Sequence, residues 1–186
     1  MTKASLLRKG NAVLINGDIH ILVDLSYRSP GKGAAFYQFS FRNLANGKMY
    51  SNKYRPNEEL EQITLVSRDV QFLYHEGDLY YFMKLDTYEQ IFLSEEIIGD
   101  NKRFLKDGLD VIIMFHGEKP IELEMPVSVS MQVISTVPGH KGDTVSNVLK
   151  PATVENGYEF EVPLFIKEGD IIKIDTRTGD YLGKDN

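Results

Sequence analysis

The chain has 186 residues, 42% of them hydrophobic, no cysteine and a net charge of −6, the composition of a soluble globular protein. Without cysteine there is no disulfide framework, thiolate metal site or thiol nucleophile. No apolar run approaches a membrane span, and residues 1–9 lack the apolar core of a signal peptide, so the expected location is the cytoplasm, with no membrane partner. The charge is uneven. Residues 1–63 carry nine Lys/Arg against five Asp/Glu, residues 64–127 six against thirteen, and residues 128–186 six against nine. A basic first third on an acidic body points the amino-terminal part toward phosphate.

In chain order, the first strong signal is a hairpin. Ile19, Ile21, Val23, Leu25 and Tyr27 alternate with His20, Asp24, Ser26 and Arg28; Tyr37, Phe39 and Phe41 then alternate with Gln38, Ser40 and Arg42. Between them stands Ser29-Pro30-Gly31-Lys32-Gly33. Pro30 pre-sets the second position of a type II turn and Gly31 supplies the positive φ of the third, which places Lys32 just past the bend, with Gly33 freeing the backbone beyond it. On the turn alone, a solvated surface lysine is the simpler reading.

Further on, Asn16-Gly17, Asn46-Gly47, Gly77-Asp78, Gly117-Glu118, Asn156-Gly157 and Thr178-Gly179 punctuate short runs rich in aromatic and β-branched residues, such as 72–74, 79–83 and 110–115. Evenly spaced turns with little helical periodicity predict an all-β protein. One short helix is expected from Ser94, as N-cap, to about Lys106, with Ile97, Ile98, Phe104 and Leu105 on its apolar side and Gly99 and Asn101 weakening it. Pro56 with the charged residues after it, and Met125-Pro126, suggest boundaries between three segments, 1–63, 64–127 and 128–186. Segments of about 60 residues are near the lower limit for burying a core, a problem that closed barrels solve by removing sheet edges.

Catalytic and metal chemistry find little support. His20, His75, His116 and His140 are scattered singly, as surface or turn residues, with no metal-ligand spacing. Glu58-Glu59 falls in an expected linker and Glu95-Glu96 at a helix start, positions of solvated acids rather than of acid/base pairs. No phosphate loop or nucleophile elbow is present. The expectation is no catalytic residue, no metal and no enzyme.

The carboxyl-terminal stretch Lys150-Pro151-Ala152-Thr153, Glu155-Asn156-Gly157, Val162-Pro163-Leu164-Phe165-Ile166 and residues 169–181 closely resembles the signature of the bacterial elongation factor P family. The resemblance extends to Pro30-Gly31-Lys32-Gly33 and to Ile98-Gly99-Asp100-Asn101, in the correct order and spacing. It implies an SH3-like (KOW-type) amino-terminal barrel followed by two OB-fold barrels, a monomer of elongated, tRNA-like shape. It also implies that the factor binds the 70S ribosome between the P and E sites, contacts P-site peptidyl-tRNA and relieves stalling at consecutive prolines, whose rings fix φ and slow peptide-bond formation.

A lysine reaches only about 6 Å beyond its backbone. In the family the residue matching Lys32 is extended covalently, commonly by a β-lysyl group on its ε-amine, which requires a Lys32-modifying enzyme; other branches use other adducts, and the eukaryotic and archaeal relative carries hypusine. Pro30, Gly31 and Gly33 shape the loop, and no diffusible cofactor is implied. The family's Gly-Asp-Thr loop, here Gly142-Asp143-Thr144, approaches the E-site codon, although residues 145–148 depart from the further glycines of many members. Arg177, Tyr181 and Lys184 are candidates for contact with tRNA or rRNA, against the alternative of a buried tyrosine and ordinary surface charges. Two competitors remain. One is a general single-stranded nucleic-acid binder that stacks bases on Tyr80, Tyr81 and Phe82; the other is a paralogue with a different substrate range.

Overall fold

The structure, a computed structural model, describes residues 1–138 and 148–185. Its strands form three sheets in sequence order. The first contains β1 (Thr2–Lys3), β2 (Ala12–Ile15), β3 (Asp18–Arg28), β4 (Phe36–Asn43), β5 (Met49–Tyr54) and β6 (Glu59–Ile63), ordered β1-β6-β2-β3-β4-β5. The second contains β7 (Val66–Glu76), β8 (Leu79–Lys84), β9 (Gln90–Ser94), β10 (Asp110–His116) and β11 (Lys119–Glu124), ordered β11-β10-β7-β8-β9. The third contains β12 (Ser128–Thr136), β13 (Leu149–Val154), β14 (Glu159–Pro163), β15 (Ile171–Asp175) and β16 (Tyr181–Lys184), ordered β14-β13-β12-β15-β16. The protein is all-β, with three domains built of curled sheets. By contacts it divides into two compact units, Met1–Ser67 with Met114–Glu122, and Arg68–Ile113 with Leu123–Asn186.

Local chemistry accounts for the elements. Asn16 and Gly17 both take positive φ (54° and 87°) between the paired residues Ile15 and Asp18, the two-residue turn whose twist suits antiparallel strands. β12 pairs antiparallel with β15 through Ser128–Gln132 and with β13 from Val133, with an irregularity at Ile134. One bent strand thus serves both halves of the third sheet, the usual role of a bulge in curling a sheet.

The first core gathers Ala4, Leu7, Val13, Leu22, Phe39, Phe41, Tyr54 and Leu60. The third centres on Met131, Val154, Val162, Ile172 and Ile174 and also takes Phe104, whose ring lies 5.7 Å from that of Phe160. Burying such side chains is the main stabilising term, and truncating a core Phe to Ala costs about 3–5 kcal/mol.

Four expectations need correction. The even alternation predicted along residues 19–27 is interrupted: Leu22 pairs with Phe41 and Asp24 with Ser40, so Val23 is an extra residue in β3. Before the bulge the core face therefore carries His20 and Leu22; after it, Leu25 turns inward. His20 is consequently a core residue, 4% exposed, with Nδ1 3.0 Å from the Asp18 carbonyl oxygen and its ring edge-on to Tyr50 at 5.1 Å. Glu59, expected in a linker, instead begins β6, which pairs with β1 and β2. The predicted helix is split into a single α-turn, Glu95–Ile98, and a 3-10 segment, Gly99–Phe104. Gly99 takes φ +54° and breaks the α-helix, and Ser94 occupies the N-cap without a side-chain capping bond.

Candidate functional site

The hairpin β3–β4 positions Lys32. Its register runs through Leu25 opposite Phe39, Ser26 opposite Gln38 and Tyr27 opposite Tyr37, to close at Arg28 opposite Phe36. Residues 29–35 form the loop, and 29–34 are exposed. Beneath it a file of rings leads out from the first core: Phe41 to Phe39 at 5.8 Å, Phe39 to Tyr37 at 5.6 Å and Tyr37 to Tyr27 at 5.0 Å. Phe39 and Phe41 are fully buried while Tyr27 is 54% exposed, so the file ties the base of the loop to the barrel interior. Aromatic pairs of this kind add about 0.5–1.5 kcal/mol beyond their buried area. On the neighbouring strand β5, the Lys53 ammonium sits 4.9 Å from the centre of the Phe36 ring.

The loop conformation differs from the type II turn expected at Pro30-Gly31. Gly33, not Gly31, occupies the positive-φ region, at +111°. The chain therefore needs glycine on the far side of the lysine. A β-carbon on Gly31 would meet no atom within 4 Å, whereas one on Gly33 would stand 3.9 Å from Pro30 Cγ in a conformation that side chains rarely adopt.

Two cations of the first segment are held by carboxylates. Lys9 is paired with Asp24, and Arg42 holds Glu122 with both guanidinium arms, at 2.6 and 3.2 Å. Arg28, Lys32 and Lys53 lie at or beside the tip, Lys32 being exposed at its outermost turn. An exposed cation on a braced hairpin can contact phosphate or carry a covalent extension; it cannot perform acid/base chemistry in a desolvated cavity. Among the described residues, no group of three or more His, Cys, Asp or Glu side chains is arranged to hold a metal, and no helix is long and apolar enough to cross a membrane.

The other candidate residues lie in the third segment of the chain, apart in sequence from the tip. Gly142, Asp143 and Thr144 fall outside the described residues. Arg177 grips Asp175 through Nε at 3.1 Å and a terminal nitrogen at 2.6 Å, and with help from the Arg177 backbone N–H holds the carboxyl down at about 2. The Arg177 side chain is nonetheless 70% exposed and borders an open hollow of about 540 Å³ lined also by Asn101 and Arg103. Lys184 pairs with Asp170 at 2.8 Å. Tyr181 packs half-buried against the third core, and that burial raises its pKa. Both cations thus already have carboxylate partners, and the tyrosine has a packing role.

Of the aromatics considered as stacking platforms, Tyr80 and Phe82 are buried in the middle domain and only Tyr81 faces outward. The alternation of the strand decided this. Sequence reasoning missed the ring file under the tip and the Lys53–Phe36 contact; the strand alternation was legible, but the register that aligns these residues across three strands was not.

Comparison with known proteins covers nearly the whole chain. Three family models match in succession: the Elongation factor P (EF-P) KOW-like domain over residues 3–60, the Elongation factor P (EF-P) OB domain over 65–123, and Elongation factor P, C-terminal, over 129–184. An elongation factor P of Nitratidesulfovibrio vulgaris is 44% identical over 96% of both chains. One of Desulfotalea psychrophila is 42% identical over 98% of this chain and 97% of its own. Among solved structures, a eukaryotic translation initiation factor 5A from Methanococcus jannaschii superposes with a TM-score of 0.52 at 24% identity, over 66% of this chain and 92% of its own.

Proposed function

The chain belongs to the elongation factor P family and is a translation elongation factor; from that premise we propose that it binds the 70S ribosome between the P and E sites and presents Lys32 to P-site peptidyl-tRNA. Bearing a covalent extension on its ε-amine, such as a β-lysyl group added by a dedicated enzyme, Lys32 reaches the acceptor end and holds it in reactive geometry. The acceleration is one of positioning, worth several kcal/mol when a reacting group is well oriented, and no side chain of the factor supplies acid, base or nucleophile. The substrates that gain most are nascent chains ending in consecutive prolines, whose fixed φ makes unaided alignment poor. This work takes place in the cytoplasm.

The observation that carries the proposal is the braced tip: an exposed lysine at the outer turn of a hairpin whose base is tied by four rings to a buried core. Such a mount suits a residue that must project a fixed distance into another molecule. The reading as a general single-stranded nucleic-acid binder loses support, because Tyr80 and Phe82 are committed to a core. The test is synthesis in a reconstituted translation system of a reporter containing Pro-Pro-Pro against one containing Ala-Ala-Ala, with and without the factor purified from its native host. Selective recovery of the proline reporter is expected; equal effects on both would refute the proposal.

A further inference from the structure

The outer face of the second sheet carries an aromatic row that the lysine tip does not use. Tyr74 on β7, Tyr81 on β8 and Phe92 on β9 are direct register partners across three adjacent strands. Tyr74 and Tyr81 stack with centroids 4.7 Å apart and planes 21° from parallel, and Phe92 lies 6.2 Å from Tyr81, tilted by 52°. The row owes its existence to a bulge. Phe72 and Tyr74 would share a face on a regular strand, but the register shifts between them, so Phe72 enters the core while Tyr74 turns outward. Tyr74 remains 45% exposed and Phe92 59%, and the Gln90 amide donates to the Tyr74 hydroxyl at 3.3 Å.

Charge decides what suits this face. Residues 66–94 contain two cations, Arg68 and Lys84, against Asp69, Glu76, Asp78, Asp86 and Glu89. Both cations are engaged: Arg68 with Asp86 at 2.8 Å, and the buried Lys84 with Glu89 at 2.7 Å. Asp69, Glu76 and Asp78 are exposed, and Glu76 follows Tyr74 on the same face of β7. A phosphate backbone would meet net negative charge and release few counterions. A guanidinium, by contrast, is weakly hydrated, stacks on aromatic faces and is attracted by nearby carboxylates.

We propose that this face is a docking surface for an arginine-bearing basic polypeptide segment, with guanidinium planes laid on the exposed Tyr74 and Phe92 rings and their charge answered by Glu76 and its acidic neighbours. The inference does not depend on Lys32 or on the ribosomal reading, and the failure of either leaves the other standing.

Fluorescence anisotropy of the full chain with a labelled (Arg-Gly-Gly)4 peptide, its lysine counterpart and a labelled oligouridylate 12-mer tests it. The arginine peptide should bind best, and Tyr74→Gln or Phe92→Gln should each weaken it by about fivefold or more, the scale of one lost cation–π contact. Aromatic NMR shifts of Tyr74, Tyr81 and Phe92 in the unmutated protein provide a readout that no folding defect can mimic, and should move on addition of the arginine peptide. Unchanged affinity in the variants, equal binding of the lysine peptide, ring signals that stay fixed, or tighter binding of oligouridylate would each overturn the proposal, the last in favour of an RNA surface.

Discussion

Pro30 and Gly33 close the tip loop on either side of the lysine: Pro30 Cγ stands 3.9 Å from where a β-carbon on Gly33 would lie, and Gly33 holds φ +111°. Backbone conformation, rather than any side chain on the glycines, therefore aims Lys32. Gly33→Ala is expected to cost the loop conformation about 1–2 kcal/mol and to re-aim it without unfolding the barrel. The fraction of Lys32 carrying the proposed extension and the recovery of the Pro-Pro-Pro reporter should both fall, with the melting temperature nearly unchanged. Gly31→Ala should behave as wild type, since neither sterics nor φ opposes it. Peptide mass spectrometry of both variants from the native host checks this, and a stronger defect at Gly31 would contradict the loop geometry.

The Tyr50 hydroxyl is buried without a hydrogen-bond partner among the described residues, and desolvation pushes its pKa up to about 12. Removing an unsatisfied buried polar group relieves its desolvation cost, which is about 1–3 kcal/mol in full. Tyr50→Phe is expected to leave stability unchanged or to raise it by about 1 kcal/mol, as read from urea unfolding. A loss of stability would mean that the hydroxyl is satisfied in solution.

Arg177 and Asp175 make an acid-sensitive link. The hydrogen bonds from Arg177 depress the Asp175 carboxyl from 3.8 to about 2, so the folded state binds its proton less readily than the unfolded chain does. The stabilisation is fully present above the unfolded value and is lost as pH falls through about 4 to about 2. Asp175→Asn should flatten that part of the stability–pH curve. An identical acid limb in the variant would show that other carboxylates dominate it.

Much of the site was legible in the sequence because hairpins are local: alternation on both flanks and a Pro-Gly pair between them locate the loop and its lysine. The errors in which face a side chain takes came from single inserted residues. Val23 in β3 reverses the side-chain parity, which put Ile19 and Ile21 on the predicted core face and His20 outside it; the structure does the opposite. The same device between Phe72 and Tyr74 created the outward aromatic row. A bulge leaves no fixed residue signature, so parity beyond it is set by pairing with a neighbouring strand that sequence reading cannot register. Gly31 and Gly33 are indistinguishable as residue types, and only the closed loop shows which one carries the positive φ.

Charge reversal should discriminate the tip from the body. Lys32→Glu and Lys53→Glu are expected to weaken ribosome binding and reduce its salt dependence, because each removes a cation that the proposed function turns toward phosphate. Lys119→Glu, on the exposed start of β11, should change binding little. Arg42 is unsuited to this comparison, since reversing it would set two carboxylates against each other at Glu122. Ribosome pelleting across a salt series provides the measurement, and equal loss from Lys32→Glu and Lys119→Glu would show the charge asymmetry to be incidental.

The most direct measurement of the central claim is recovery of Pro-Pro-Pro synthesis by Lys32→Ala and Lys32→Arg, each prepared from the native host and each first shown to melt like wild type. Lys32 is exposed, so neither change should disturb packing, and surface substitutions of this kind fall within about 0.5 kcal/mol. Arginine keeps the charge but lacks the ε-amine that would bear the extension. Both variants are predicted to lose most of the recovery; full recovery by Lys32→Ala would contradict the account.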